Sequence, residues 1–479
     1  MEPNFRIIQG GMGVGVSNWV LAKSVAQRGA LGVVSGTGIA TVLARRLQGG
    51  DPDGHLRRAV EAFPFQNIAR RVWNRYFLQG GRTAATPFIS TPVPQLEFCQ
   101  ALEELTVLAA FTEVFLAKEG HAGVVGINLL EKVQTPTLAT LFGAMLAGVD
   151  YVLMGAGIPR YIPGVLDTLA RGESVQLKVD VASAAPGDPF ISRFDPAAFM
   201  AKNGHSDTPP SKLKRPFFLA IVSSATLAMT LARKSNGRVD GFIIETSVAG
   251  GHNAPPRGPL QLTSSGEPVY GTRDDADLNK IAAIGLPFYL AGGFGTHAQL
   301  QWALAQGAAG IQVGTAFAFC NESAIRPDLK RQVIELARAG QARVFTDPRA
   351  SPTGFPFKVL ALRQSMSNPD IYAQRKRKCD MGYLRMLYRR EDGTLGYRCA
   401  AEPVDDYIAK GGLIEETTGR KCLCNALFST IGLGQIDAQG EFEIAIVTAG
   451  DDVSGIQRYI RNGADCYSAA DVLDCICNG

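Results

Sequence analysis

The sequence predicts an α/β chain: a (β/α)8 TIM barrel with a helical insertion and a C-terminal appendage. Eight short apolar runs recur along the chain, and most lead through small residues into an amphipathic helical stretch. The runs are almost continuously hydrophobic, as strands buried on both faces are. Their number matches a closed ring of eight parallel strands, although a doubly wound open sheet shares the same alternation.

The first run, RIIQG, precedes the helical stretch SNWVLAKSVAQRG, and LGVVSG follows as the second. VVGINLL leads to PTLATLFGAMLAG, YVLMGAG to IPGVLDTLARG, and FFLAIVSS to ATLAMTLARKSNG. GFIIETS runs into the turn-rich TSVAGGHNAPPRG, FYLAGG opens THAQLQWALAQG, and GIQVGTAF precedes a helix from about Glu322 to Gly340. A ninth run, VQLKVDVAS, belongs to an excursion over about residues 175–216, because a proline-rich stretch follows it rather than a helix. Residues 41–121 read as a largely helical insertion. The barrel therefore takes residues 1–345, and 346–479 form an appendage of unknown role. Its basic run RKRK at 375–378 is expected on a solvated face.

Composition narrows the function. A net charge of +4 spread over 479 residues argues against a nucleic-acid partner. The apolar stretch LTVLAAFTEVFLAKEG is interrupted by Glu113 and is too short for a membrane span. MEPNFRIIQGG lacks the pattern of a signal peptide. The nine cysteines then read as reduced thiols or metal ligands, not a disulfide framework, in a cytoplasmic protein.

The working residues of such a barrel sit at the C-terminal ends of its strands. Those ends present Gln9, Gly10, Gly11 and Met12, then Gly36, Asn128, Gly250, Gly251 and His252, then Gly292, Gly293, Gly314 and Thr315. Glycine at nearly every end lets the backbone approach a large flat or charged ligand. AGGFGT opens a helix whose free N–H groups attract an anion, and Gly314-Thr315 adds donors on the last strand, so these two ends predict a phosphate site.

The segments IIQGGMGVGVS, GINLL, AGGH, LAGGFGT and GIQVGTAFAFCNES closely resemble the nitronate monooxygenase family, formerly 2-nitropropane dioxygenases. These are FMN-dependent barrels related to flavin-dependent enoyl-acyl-carrier-protein reductases, and the resemblance covers roughly residues 5–340. It implies FMN as cofactor, with Gln9, Gly10, Gly11 and Met12 beside the isoalloxazine and Asn128 on its polar edge. Gly36 joins the cofactor-binding set, Gly250 and Gly251 line the reacting face, and Gly292, Gly293, Gly314 and Thr315 hold the phosphate. The family usually carries Lys or Gln on the fifth strand, facing the flavin N1/O2 edge. Ile221 stands there in this chain, so Lys178 is the substitute cation if the excursion returns to the barrel mouth.

His252 matches the family's active-site histidine. With a pKa near neutrality, it would act as base or substrate anchor in oxidising alkyl nitronates with dioxygen. In the alternative, an enoyl reductase with NAD(P)H as reductant, it would orient an acyl thioester. The expected partner is a small-molecule substrate, and a homodimer is compatible with the sequence. His121 and His205 are expected in surface roles, His297 beside the phosphate loop without touching it, Cys320 as a buried structural thiol, and Arg257 at the surface. Cys379, Cys399, Cys422 and Cys424 are soft ligands suited to zinc or an iron–sulfur cluster. Their spacing matches no standard ribbon, so ordinary thiols and no metal are expected.

Overall fold

The structure, a computed structural model, describes residues 5–479 except 186, 189, 205–211, 438 and 462–463. His205 lies outside the described residues. The strands are β1 (Ile7–Gln9), β2 (Gly32–Ser35), β3 (Val125–Leu130), β4 (Tyr151–Gly155), β5 (Phe217–Val222), β6 (Gly241–Glu245), β7 (Phe288–Ala291) and β8 (Gly310–Val313). All are parallel and follow the order β1–β8–β7–β6–β5–β4–β3–β2. A bridge between Ile8 and Leu31 closes the ring, with the Gln9 N–H donating to the Leu31 carbonyl at 2.9 Å. The predicted barrel is the observed one.

Alternation along the strands separates two cores. Ile8, Leu31, Val33, Leu153, Leu219, Ile243 and Tyr289 fill the interior, while their neighbours Ile7, Val34, Val152, Ala220, Ile244 and Leu290 pack outward against the helices. Phe5 plugs the N-terminal end, stacked on Tyr289 at 5.5 Å and edge-on to Tyr151 at 5.2 Å. The helices begin where side chains satisfy their free N–H groups. Asn18 accepts from the Leu21 N–H, Ser224 from Leu227 and Thr296 from Gln299.

Residues 41–121 carry the helices His55–Ala62, Gln66–Tyr76 and Gln100–Lys118, after a helix Ile39–Leu47 that begins just before them. Glu113, which interrupts the apolar run, is buried in the longest of these and accepts from Arg46 and from the Trp19 N–H. Among the described residues no helix is long and apolar enough to cross a membrane. In the excursion, Val175–Lys178 pairs antiparallel with Ile191–Phe194 outside the barrel.

The C-terminal region folds over the barrel mouth. The Lys358 N–H donates to the Gly251 carbonyl at 2.9 Å, the Gly251 N–H to Thr448 Oγ1 at 2.8 Å, and the Asp451 N–H to the Val248 carbonyl at 3.0 Å. The basic run departs from its expected solvated face. Arg375 is buried on Glu443, and Arg377 donates to the carbonyls of Ala400 and Thr417. Charge in a sequence marks a surface only when no buried carboxylate waits to pair with it.

Candidate active site

The cavity at the C-terminal mouth has a floor set by period-two alternation. Counting upward from the interior residues, the topmost inward positions are Asn128 on β3, Gly155 on β4, Ile221 on β5, Glu245 on β6, Ala291 on β7 and Gln312 on β8, and all line the cavity. Glycine holds the walls low. Gly292 (φ +95°) and Gly293 (φ +80°) bend the chain after β7, and a Cβ on Gly292 would lie 2.3 Å from Thr246 Oγ1.

Gly10, Gly11, Met12, Asn128, Gly250, Gly251, His252, Gly292, Gly293, Gly314 and Thr315 are brought together around this one cavity. Three expected residues are placed elsewhere. Gln9 is fully buried, pointing outward from the ring, with Nε2 donating to Ser17 Oγ at 2.9 Å and Oε1 accepting the Val33 N–H at 3.0 Å. Its amide joins strands and does not reach the cavity. Gly36 lies outside the lining, where Thr37 stands instead. Lys178 is exposed on the outer hairpin and lines a separate cavity with Glu131 and Arg160. The excursion does not return to the mouth, so the cation expected to replace the fifth-strand Lys or Gln is not supplied by Lys178.

His252 stands in the wall, its ring edge-on to Phe357 at 4.9 Å and Nε2 2.7 Å from Ser351 Oγ. Ser351 is fully buried and fixed by Thr353 Oγ1 at 2.8 Å. Burial lowers the His252 pKa to about 4 rather than leaving it near neutrality, so the imidazole is neutral at physiological pH.

Glu245 is not among the residues expected from sequence, because it ends an otherwise apolar run. The signal was present: it lies two residues after Ile243 and so shares the inward face. Burial raises its carboxyl to about 8, which makes it a protonated acid at neutral pH. Between about pH 4.5 and 8 the folded state holds a proton that the unfolded chain has released, so stability falls as pH rises through that window. Glu245→Gln is therefore expected to flatten this decline and raise Tm at pH 8 by a few degrees. A melting profile still as steep as that of the wild type between pH 5 and 8 would remove Glu245 as its source.

The residues fit a flavin at the ring end. Asn128 Oδ1 and Gln312 Oε1 are buried acceptors with no hydrogen-bond partner among the described residues, both on the cavity floor, as the N–H of a flat heterocycle requires. At the other end the helix His297–Ala305 opens after the glycine turn, which suits a phosphate. Thr315 contributes less than expected there. Its hydroxyl accepts the Gly450 N–H at 2.9 Å and bonds Asp452, whose own carboxyl burial pushes up. An anion bound there would have to be held by backbone N–H groups.

The remaining sequence candidates have structural partners. His121 bonds the Ala117 carbonyl at 2.6 Å and accepts the Gly123 N–H at 3.0 Å. His297 bonds the Ile476 carbonyl at 3.0 Å. Cys320 is buried, with Sγ 3.1 Å from the Phe317 carbonyl, and burial pushes its thiol pKa up. Arg257 is exposed and donates to the carbonyls of Arg273 and Ser223. The cavity's cover, including Phe357, Tyr383, Cys424, Ile446 and Thr448, was not identified from sequence as part of the site.

A parallel barrel with a glycine-walled mouth and one histidine in the wall is an arrangement suited to a flat cofactor with a small substrate above it. The resemblance is confirmed over part of the chain: the family model described as nitronate monooxygenase matches residues 196–347. A probable nitronate monooxygenase of Bacillus subtilis is 33% identical over 138 residues, 28% of this chain and 38% of that protein. A (3aS,4S,5R,7aS)-5-hydroxy-7a-methyl-1-oxo-octahydro-1H-indene-4-carboxyl-CoA dehydrogenase of Mycobacterium tuberculosis is 31% identical over 121 residues, 25% of this chain and 29% of that one. The matches thus span well under half of either relative. Among solved structures, FabK from Thermotoga maritima superposes with a TM-score of 0.47 at 16% identity, covering 99% of this chain and 91% of the other. Nitroalkane oxidase from Streptomyces ansochromogenes gives 0.47 at 14% identity, covering 98% and 94%.

Proposed function

We propose that the chain is an FMN-dependent oxidoreductase that oxidises alkyl nitronates with dioxygen, His252 serving as base or substrate anchor. The observation that carries this reading is the neutral, Ser351-bonded imidazole in the wall of a glycine-lined cavity, with His252 itself inside the segment that matches the nitronate monooxygenase model. A bound FMN supplies electron transfer and reactivity toward dioxygen. The chain's own groups position and exclude. Gly10, Gly11, Gly250 and Gly251 would leave space for the ring, and Asn128 and Gln312 would accept from its N–H. The C-terminal cover keeps water from the reacting face. With Nε2 bonded to Ser351, Nδ1 of His252 is left to take an α-proton from a neutral nitroalkane or to hold the nitronate oxygens.

A second reading, an NAD(P)H-dependent enoyl reductase acting on an acyl thioester, is favoured by the similarity to a dehydrogenase whose name carries a CoA thioester. Two measurements separate them. Oxygen uptake with ethylnitronate or propionate 3-nitronate is expected on the first reading, with no direct bleaching of the flavin by anaerobic NADPH. Rapid bleaching by NADPH and turnover of crotonyl-CoA, without nitronate-dependent uptake, would replace the first reading by the second. A colourless purified protein that takes up no FMN sinks both.

A further inference from the structure

Glu245 ends β6 on the floor of the barrel mouth, and it also lines a second, smaller cavity of about 30 Å³. That side cavity is bounded by the loop after His252 and by Ser223, Ser247, Tyr270 and Asp274. Pro255 and Arg257 on its rim are exposed, so it opens toward solvent. A volume of this size holds one or two waters, and the polar lining gives them partners. The carboxyl thus stands between the barrel mouth and a small wet recess.

Packing does not explain an acid at this position. A glutamate without a partner is costly to bury, and glutamine or leucine would fill the strand end at lower cost. Across the mouth stand His252, Tyr383, Cys424 and Asp452, and in the side cavity Arg257, Tyr270 and Asp274. His252 is bonded to Ser351 and Tyr383 to Thr41. Arg257 donates to the carbonyls of Arg273 and Ser223, and Tyr270 to the Ala254 carbonyl at 3.0 Å. Asp274 accepts the N–H groups of Arg257 and Gly271, each at 2.8 Å. Among the described residues none pairs with Glu245, and burial alone keeps the proton on its carboxyl at neutral pH. A protonated carboxyl accepts at one oxygen and donates at the other, as the passage of a proton without build-up of charge requires.

His252 lacks an outlet of its own. Its Nε2 leads to the fully buried Ser351, so a proton taken from substrate at Nδ1 must leave across the mouth. We propose that Glu245 is the proton relay of the barrel mouth, carrying the proton that His252 takes from substrate into the side cavity and so to solvent. This role rests on His252 acting as the base. The N–H bond of the imidazolium breaks as an O–H bond forms on one carboxyl oxygen, and the O–H bond on the other oxygen breaks toward a water in the side cavity. No electrons move, and the carboxyl ends neutral as it began.

The FMN-loaded full chain is incubated with nitroethane in heavy water without oxygen, and exchange of the α-protons is followed by NMR against a protein-free blank. Exchange is expected in the wild type and is lost in H252A. E245Q is expected to slow it about 10²-fold at unchanged FMN content, because the abstracted proton returns to carbon, and E245D to recover part of the rate. Ser223→Val narrows the side cavity without touching a titratable group and is expected to slow exchange in the same way. Infrared difference spectra read the carboxyl itself: a protonated-carboxyl band is expected in the wild type at about pH 6.5, gone by about pH 9.5 and missing from E245Q. If the wild type neither exchanges nor oxidises nitroethane, His252 is not the base and the relay falls with it. If it oxidises nitroethane without exchange, or if E245Q or S223V exchanges as fast as the wild type, the relay alone is overturned. A wild type with no protonated carboxyl above about pH 6 overturns it even where E245Q does not fold.

Discussion

Replacing His252 by alanine is expected to lower turnover by about 10²–10⁴-fold, the usual contribution of a positioned acid–base group, while FMN stays bound. The ring lines the cavity and is held on two sides, by Phe357 and by the buried Ser351 hydroxyl. Its pKa of about 4 fixes the sign of the pH dependence. The imidazole accepts a proton throughout the neutral range, and kcat/KM is expected to fall only as pH drops toward 4. The same shift makes the fold acid-sensitive: folded His252 stays neutral where an ordinary histidine charges, so stability is lost as pH falls from about 6.5 toward 4. Ser351→Ala frees the ring and is expected to cost about tenfold in kcat with an acid limb moved upward, a change that mere loosening of the fold would not produce. Oxygen uptake in H252A equal to that of the wild type would remove the residue from the chemistry.

The barrel was legible because each of its strands is a local event. An apolar run, a small-residue turn and an amphipathic helix recur, and the chain need not be folded to count them. The glycine-rich strand ends were legible for the same reason, and they do surround one cavity. What failed were inferences about reach. Gln9 stands at the right strand end, but it is one residue out of phase with the inward face and spends its amide on Ser17 and Val33. Lys178 has the right charge, but on a hairpin that folds back against its own return strand. Glu245 has the right phase, but it stands at the end of a strand whose other members are all apolar or glycine. The cover over the mouth comes from residues more than a hundred positions beyond the barrel segments it touches, such as Thr448 on Gly251, and no periodicity encodes that pairing.

That cover depends on one buried charge cluster, and its removal is the second large effect expected. Glu443 has a side chain only 2% exposed and receives Arg375 through two bonds, at 2.6 and 3.0 Å, with Lys378 at 2.8 Å. Burial alone would raise its carboxyl, but the two cations hold it below the ordinary glutamate range. Glu443→Ala leaves the Arg375 guanidinium buried without its partner, which costs about 3–5 kcal/mol. Replacing both residues, as Glu443→Leu with Arg375→Met, is expected to cost much less, because no charge is then stranded. Denaturant titration of the two variants measures the difference, and a single variant no less stable than the double one would show that the cluster does not hold the cover. The consequence for the site follows from the chain path. Glu443 begins the segment whose Ala445 and Val447 carbonyls accept from Met366 and Leu360 and whose Ile446 and Thr448 face the cavity. Loosening that segment opens the wall beside His252, where Thr448 accepts from Gly251, so weakened FMN retention is expected in E443A even where the barrel stays folded. Because the Glu443 pKa is depressed, its stabilisation is present above about pH 4.5 and is lost as pH falls below it, so acid should release the cofactor from the wild type as the substitution does at neutral pH.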